Sequence, residues 1–184
     1  MEFLLLSDQE KEIYSEEIFS LLKAADDDFL PPLSQRCVDP VTNRNTFSDV
    51  PSDGNIRDYA SAMARENILA IFEDGALCGF VSFAENLEND VITEIPNIYI
   101  GTAVISEKLR GRGTLSHTYD YLFSTLYPKH NLFTRTWSTN VAHIRVLDKF
   151  GFERIKTLKD DRGDGIDTIY FGKAPRTWHA LSHV

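Results

Sequence analysis

At 184 residues, 42% hydrophobic and 26% charged, the chain suits one ordinary domain with a sizeable core and is too apolar to be disordered. Its formal net charge of −9 argues against nucleic acid as a partner, because backbone binding needs a broad cationic surface. The same balance agrees weakly with a cationic acceptor such as an amine.

The opening "MEFLLLSDQEKE" is apolar for four residues and then acidic, so it reads as neither signal peptide nor membrane span. "EFLLL" predicts a short strand. Ser7 with Glu10 forms a capping-box pattern, and Tyr14, Ile18, Leu21, Leu22 and Ala25 share one face of a helix ending near Asp26 to Asp28. Residues 29 to 51 carry Pro31, Pro32, Pro40 and Pro51 and predict a long irregular segment. A second helix is expected from near Asp53, with Ile56, Tyr59, Ala60 and Met63 on its buried face. In "NILAIFEDGALCGFVSFAEN", two apolar runs flank Asp74-Gly75, a strong hairpin signal. A third meander strand is expected at about 97 to 105, then a glycine loop and a helix from about Arg112 to Tyr127 buried through Leu115, Tyr119, Leu122, Phe123 and Leu126. "NLFTRTWST", residues 140 to 150, "GFERIKTL" and "GIDTIYFGK" complete the order β-α-α-β-β-β-α-β-α-β-β. The simplest packing is α/β (α+β), one sheet with helices on its faces. Cys78 reads as a buried core thiol, Cys37 as a loop residue, and their spacing suggests neither a metal site nor a disulfide, which fits a reducing cytoplasm.

The loop "KLRGRGTL" sets Lys108, Arg110 and Arg112 beside Gly111 and Gly113 at a helix start. Free N–H groups and the dipole of a helix N-terminus attract anions, glycines allow close backbone approach, and cations add charge-assisted bonds. This is a phosphate cradle. A Walker loop, G-x-x-x-x-G-K-S/T, is absent, and the dinucleotide fingerprint fails because Ser116 stands at its third glycine.

"RGRGTL" resembles instead the acetyl-coenzyme A loop of the Gcn5-related N-acetyltransferases (GNAT), Q/R-x-x-G-x-G/A. Arg110 and Gly113 match, and Leu115 departs at the last small position. "STNVAHIRVLDKFGFERI" is similar to the family's fourth-helix pattern at Asn140, Val146, Leu147, Gly151 and Phe152, with His143 in place of a small residue. The resemblance implies one GNAT domain over residues 1 to 184, its mixed and mostly antiparallel sheet covered by helices on both faces. The coenzyme-binding core would span about 97 to 153, and the acceptor-side helices and loop about 7 to 66.

It further implies transfer of the acetyl group of acetyl-coenzyme A, the acyl-donor substrate, to a primary amine. No metal, nucleic acid or membrane partner is implied, and a monomer or homodimer in the cytoplasm is expected. Arg110, Gly111, Arg112, Gly113 and Thr114, with Leu115, would hold the pyrophosphate, and Ala103, Val104 and Ile105 would pair with the pantetheine arm. A backbone N–H near Val104 would face the thioester oxygen, and Asn140 and His143 would line the coenzyme. The family's usual base position falls on Tyr99, leaving Glu94 or Glu85 to act through water. Its usual acid position falls on Leu147, leaving His143 as donor or acid at the sulfur. His117 and His130 are expected to face solvent, Trp137 and Trp178 to pack, and Phe29, Arg36, Arg44 and Phe47 to wall the acceptor side. A coenzyme-binding protein without efficient turnover stands as the alternative.

Overall fold

The computed structural model of the chain describes residues 1–38, 45–47 and 53–175. After β1 (Glu2–Leu5) the capping box forms in full. Ser7 Oγ accepts from the Glu10 amide at 3.3 Å, and Glu10 Oε2 accepts from the Ser7 amide at 2.8 Å. The single helix expected here is two, α1 (Asp8–Ile13) and α2 (Ser15–Ala24), separated at Tyr14, where φ is −94° and ψ 11°. The apolar stripe survives the break: Ile18, Leu22 and Ala25 are buried, and Tyr14 and Leu21 pack against the same cluster. The segment after Phe29 is more ordered than expected. A 3₁₀ turn at Leu33–Gln35 leads into β2 (Arg36–Val38), which pairs with β3 (Asn45–Phe47) as a separate small sheet. Pro40, Arg44, Pro51, Trp178 and the two tail histidines, His179 and His183, lie outside the described residues.

Helix α3 (Asp53–Met63) begins as predicted and buries Ile56 and Met63. Strands β4 (Asn67–Glu73) and β5 (Ala76–Glu85) meet at Asp74-Gly75, both at positive φ, the two-residue turn this dipeptide favours. They are followed by β6 (Asn97–Ile105) and α4 (Thr114–Tyr121), which runs into a π-helical turn at Leu122–Leu126. Next come β7 (Asn131–Trp137), α5 (Val141–Lys149), β8 (Glu153–Leu158) and β9 (Thr168–Lys173). Helix α5 ends as expected: Gly151 is left-handed at φ 73°, its amide bonds to the Asp148 carbonyl, and the Phe152 amide bonds to the Leu147 carbonyl.

Seven strands form one sheet in the order β1-β4-β5-β6-β7-β9-β8, antiparallel throughout except for the parallel pair β6–β7. Helices α2 and α3 cover one face over Ile68, Ala70 and Phe80. Helices α4 and α5 cover the other through Tyr119, Leu122 and Leu147 against Ile98, Ile100 and Phe171. The mixed, mostly antiparallel sheet with helices on both faces is as predicted. No described helix is long and apolar enough to cross a membrane.

Candidate active site

The sheet opens at its centre. Parallel pairing of β6 with β7 runs from Asn97↔Asn131 to Ile100↔Thr134 and stops there. Beyond it, Thr102 to Ile105 stay paired with β5, and Arg135 to Trp137 stay paired with β9. The register slip between Ser82 and Phe83 makes Gly101 the extra residue of a bulge on β6. The bulge switches the strand's alternation. Ile98 and Ile100 face α4 and α5, whereas Val104 joins the core under α2 and α3, and the Thr102 hydroxyl meets Tyr59 of α3 at 2.7 Å.

The register also decides which amides face the opening. The Ser106 amide donates to the Cys78 carbonyl at 2.9 Å, and in an antiparallel ladder bonded pairs alternate with unbonded ones. Val104 and Phe80 are therefore a bonded pair, and the main-chain groups of Ala103 and Ile105 point away from β5. The Ile105 carbonyl accordingly accepts from Arg110 Nε at 3.0 Å. The N–H of Val104 itself is thus spent within the sheet, and the amides near it that face the gap are those of Ala103 and Ile105. With the Ile105 carbonyl taken, the main-chain groups of Ala103 and the amide of Ile105 are left facing the gap.

A cavity of about 500 Å³ fills the opening, running from Phe29, Trp137 and Arg135 past Ala103 to the glycine loop and His143. Gly111 and Gly113 adopt φ of 71° and 77°, left-handed values that side chains disfavour, and Gly113 caps the start of α4. Thr114 is buried, its hydroxyl donating to the Leu109 carbonyl at 2.9 Å, which moors the loop to the helix. Leu115 lines the cavity and packs on the core. Arg112 and Lys108 are exposed. Arg110 lines the cavity, but its amide donates to the Glu107 carbonyl and its guanidinium holds both Ile105 and Asp28, the latter at 2.5 Å. It braces the loop against the segment after α2.

Asn140 and His143 also line the cavity. Asn140 caps α5, accepting from the His143 amide at 3.2 Å and donating to Thr136 Oγ1 at 3.0 Å. His143 Nε2 lies 2.8 Å from the hydroxyl of Tyr119, which is fully buried. Burial pushes the imidazole down to about 4, so it is neutral near pH 7. A neutral ring carries one N–H and one acceptor nitrogen, and the tautomer decides which of them meets the Tyr119 hydroxyl. Leu147 is core.

The expected bases sit elsewhere. Glu85, at the far end of β5, takes a 2.6 Å bond from the Tyr127 hydroxyl and one from Asn67 Nδ2; Glu94 lies in the loop before β6. Neither lines the cavity nor stands beside a residue of the bulge that does; Glu66, itself not a lining residue, stands directly behind Gly101, which is one. Tyr99 is half-buried and pushed up to about 12, chiefly by burial, so it is a phenol and not a base. Sequence reasoning missed Glu66, between α3 and β4. Its carboxylate lies 3.2 Å from the point where a Cβ on Gly101 would stand and accepts from Ser82 Oγ at 2.7 Å. Burial raises its pKa despite the Ser82 bond. No motif marks Glu66; only the pairing of β4, β5 and β6 brings it to the bulge. Trp137 was expected to pack; it lines the cavity with its ring 6.5 Å from Phe29. His117 is exposed as expected, whereas His130 is half-buried against Tyr127.

A mixed sheet split between two central strands, with a glycine loop at the mouth of the split, defines the acyl-coenzyme A N-acyltransferase architecture, and the chain has the GNAT fold. No protein-family profile and no curated protein matches its sequence. Among solved structures it is similar to a ribosomal-protein-alanine N-acetyltransferase from Brucella melitensis, with a TM-score of 0.66 and 14% identity over 95% of this chain and 99% of that one. RimL, a ribosomal-protein acetyltransferase in complex with coenzyme A, superposes with a TM-score of 0.63 and 16% identity over 94% and 93% of the two chains. The yncA protein of Salmonella typhimurium, solved with acetyl-CoA, gives a TM-score of 0.61 and 15% identity over 100% and 99%.

Proposed function

We propose that the protein is an N-acetyltransferase that moves the acetyl group of acetyl-coenzyme A directly to a primary amine. The observation that carries this is the outward main-chain edge, the groups of Ala103 and the amide of Ile105, ending at a left-handed glycine loop. The free edge suits an extended amide-bearing arm, and the loop suits a diphosphate. Acetyl-coenzyme A supplies an activated thioester. An Ala103 or Ile105 amide at the thioester oxygen would lower the barrier by roughly 3 kcal/mol, the worth of one such donor.

The chain's own groups then move protons. An aliphatic ammonium has a pKa near 10.4 and must lose a proton before its nitrogen attacks. Glu66 beside Gly101, its pKa raised by burial, is a base suited to this step, directly or through one water. The N–C bond forms as the C–S bond breaks; the amine's second proton leaves with solvent, and the thiolate takes one back. His143 lines the same cavity, and with Tyr119 donating to Nε2 its Nδ1–H would be free to hydrogen-bond that sulfur.

A free-thiol assay with acetyl-coenzyme A across an amine panel tests the reading, with calorimetry alongside. Amine-dependent thiol release is expected, and Glu66→Gln should lower kcat by about 10²–10⁴-fold while leaving coenzyme affinity unchanged. Absence of coenzyme binding at millimolar concentration overturns the function. Full turnover by Glu66→Gln overturns the assignment of the base.

A further inference from the structure

On the α3 face of the opening three arginines converge, and among the described residues none is paired with a carboxylate. Ion pairs among the described residues include Lys11–Asp8, Arg57–Glu16, Arg110–Asp28 and Lys159–Asp167. Arg135 leaves β7 one residue past its last pairing with β6, is exposed, and lines the cavity. Its one hydrogen bond among the described residues goes to the Tyr170 hydroxyl at 3.1 Å. Arg36 is buried, donates to the Pro31 carbonyl at 3.0 and 2.8 Å, and stacks over Phe29. Arg162 donates to the Leu30 carbonyl and Thr168, and lies over the Trp137 ring.

The two rings that wall the cavity are thus each backed by a guanidinium, and a third reaches inside. Among the described residues the direct partners of the three cations are carbonyls, hydroxyls and aromatic faces, and the nearest carboxylates, Asp26 toward Arg36 and Asp161 toward Arg162, act only at longer range. The cations also oppose one another, since burial pushes Arg36 down to about 10 and the charges of Arg162 and Arg135 push the same way. Holding a buried Arg36 beside two further cations is costly unless an anion completes the group. In a chain of net charge −9, this local excess of positive charge is the reverse of what composition suggests for a cationic acceptor.

We propose that the acceptor carries a carboxylate close to its nucleophilic amine, and that Arg135 binds this carboxylate in the field of Arg36 and Arg162. The inference rests on the acetyl-transfer reading above and names its substrate class. Arg135 lies on β7, one strand of the opening, and Glu66 stands beside Gly101 of β6, the other. An amine at Glu66 and a carboxylate at Arg135 would therefore span the gap. The planar guanidinium fork matches a carboxylate, whether that of a free amino acid or of an acidic residue beside a peptide N-terminus.

The test measures thiol release from acetyl-coenzyme A with four sets of acceptors. They are free amino acids, their carboxamides, the corresponding descarboxy amines, and dipeptides with Asp or Asn in second place. Carboxylate acceptors should exceed their neutral analogues in kcat/KM by at least about tenfold, the scale of one charge-assisted hydrogen bond. Arg135→Gln should erase that preference through KM and be partly rescued by Arg135→Lys. Calorimetry of an N-acetyl amino acid into the coenzyme A-loaded protein should give binding that Arg135→Gln abolishes. Preference for the Asp dipeptide over free amino acids assigns the carboxylate to a peptide and supports the same chemistry. Equal or better turnover of neutral amines or polyamines overturns this inference and leaves acetyl transfer standing. Failure to bind acetyl-coenzyme A overturns both.

Discussion

His143 shows how one side chain's surroundings set its chemistry. Its ring lies against the fully buried Tyr119, and with its pKa near 4 it refuses a proton that an unfolded histidine binds below about 6.5. Between those limits the unfolded state holds the extra proton, so stability falls as pH drops from about 6.5 toward 4. One proton corresponds to at most about 1.4 kcal/mol per pH unit. Glu66 acts in the opposite sense, since its raised pKa gives the folded state the extra proton, so the comparison is best made in a Glu66→Gln background. Urea unfolding at several pH values should show His143→Gln losing stability less steeply than its parent over this window. Parallel curves would mean that the folded protein charges His143 freely. The sequence marked this histidine because it interrupts a familiar helix pattern. It could not show the Tyr119 contact, which depends on how α4 and α5 lie together.

Among the elements, those read correctly from sequence are those whose signals are local. The Ser7–Glu10 box, the Asp74-Gly75 turn and the Gly151 cap each need only a few neighbouring residues. The break at Tyr14 and the β2–β3 pair do not; α2 bends to lie on Ile68 and Phe80, and β2 finds its partner across a connection with no periodicity. The glycine loop is intermediate. Its left-handed glycines were legible, whereas the use of Arg110 to brace Asp28, 82 positions away, was not. That brace yields a prediction. Asp28 lies at the cavity beside the loop, so it competes with an incoming diphosphate for Arg110. Asp28→Asn should tighten coenzyme A binding by up to about fivefold at low salt, as expected for an exposed pair of about 0.2–1 kcal/mol. The gain should disappear near 1 M salt, where screening acts over only about 3 Å. Calorimetry showing weaker binding at low salt would mean that the brace, not the free arginine, shapes the cradle.

At the scale of the molecule, the sheet is incomplete by one strand along part of its length. Bulging at Gly101 lets β6 face one core before the gap and the other after it, and the parallel pair β6–β7 separates where β9 still holds β7. A ligand arm that fills the gap would join the two halves of the sheet, so coenzyme binding should stabilise the whole fold. At a hundredfold excess over Kd the gain is about 2.7 kcal/mol. For a domain of this size that raises Tm by roughly 5–11 °C. Hydrogen exchange distinguishes this arrangement from binding at the loop alone. The Val104 amide, committed to Phe80, should exchange slowly with or without coenzyme A. The Ala103 and Ile105 amides should exchange fast in the free protein and slow markedly when coenzyme A is bound. Protection confined to residues 111 to 115 would show a diphosphate held at the helix start with the sheet left open, and Ala103 and Ile105 would then have no part in holding the thioester.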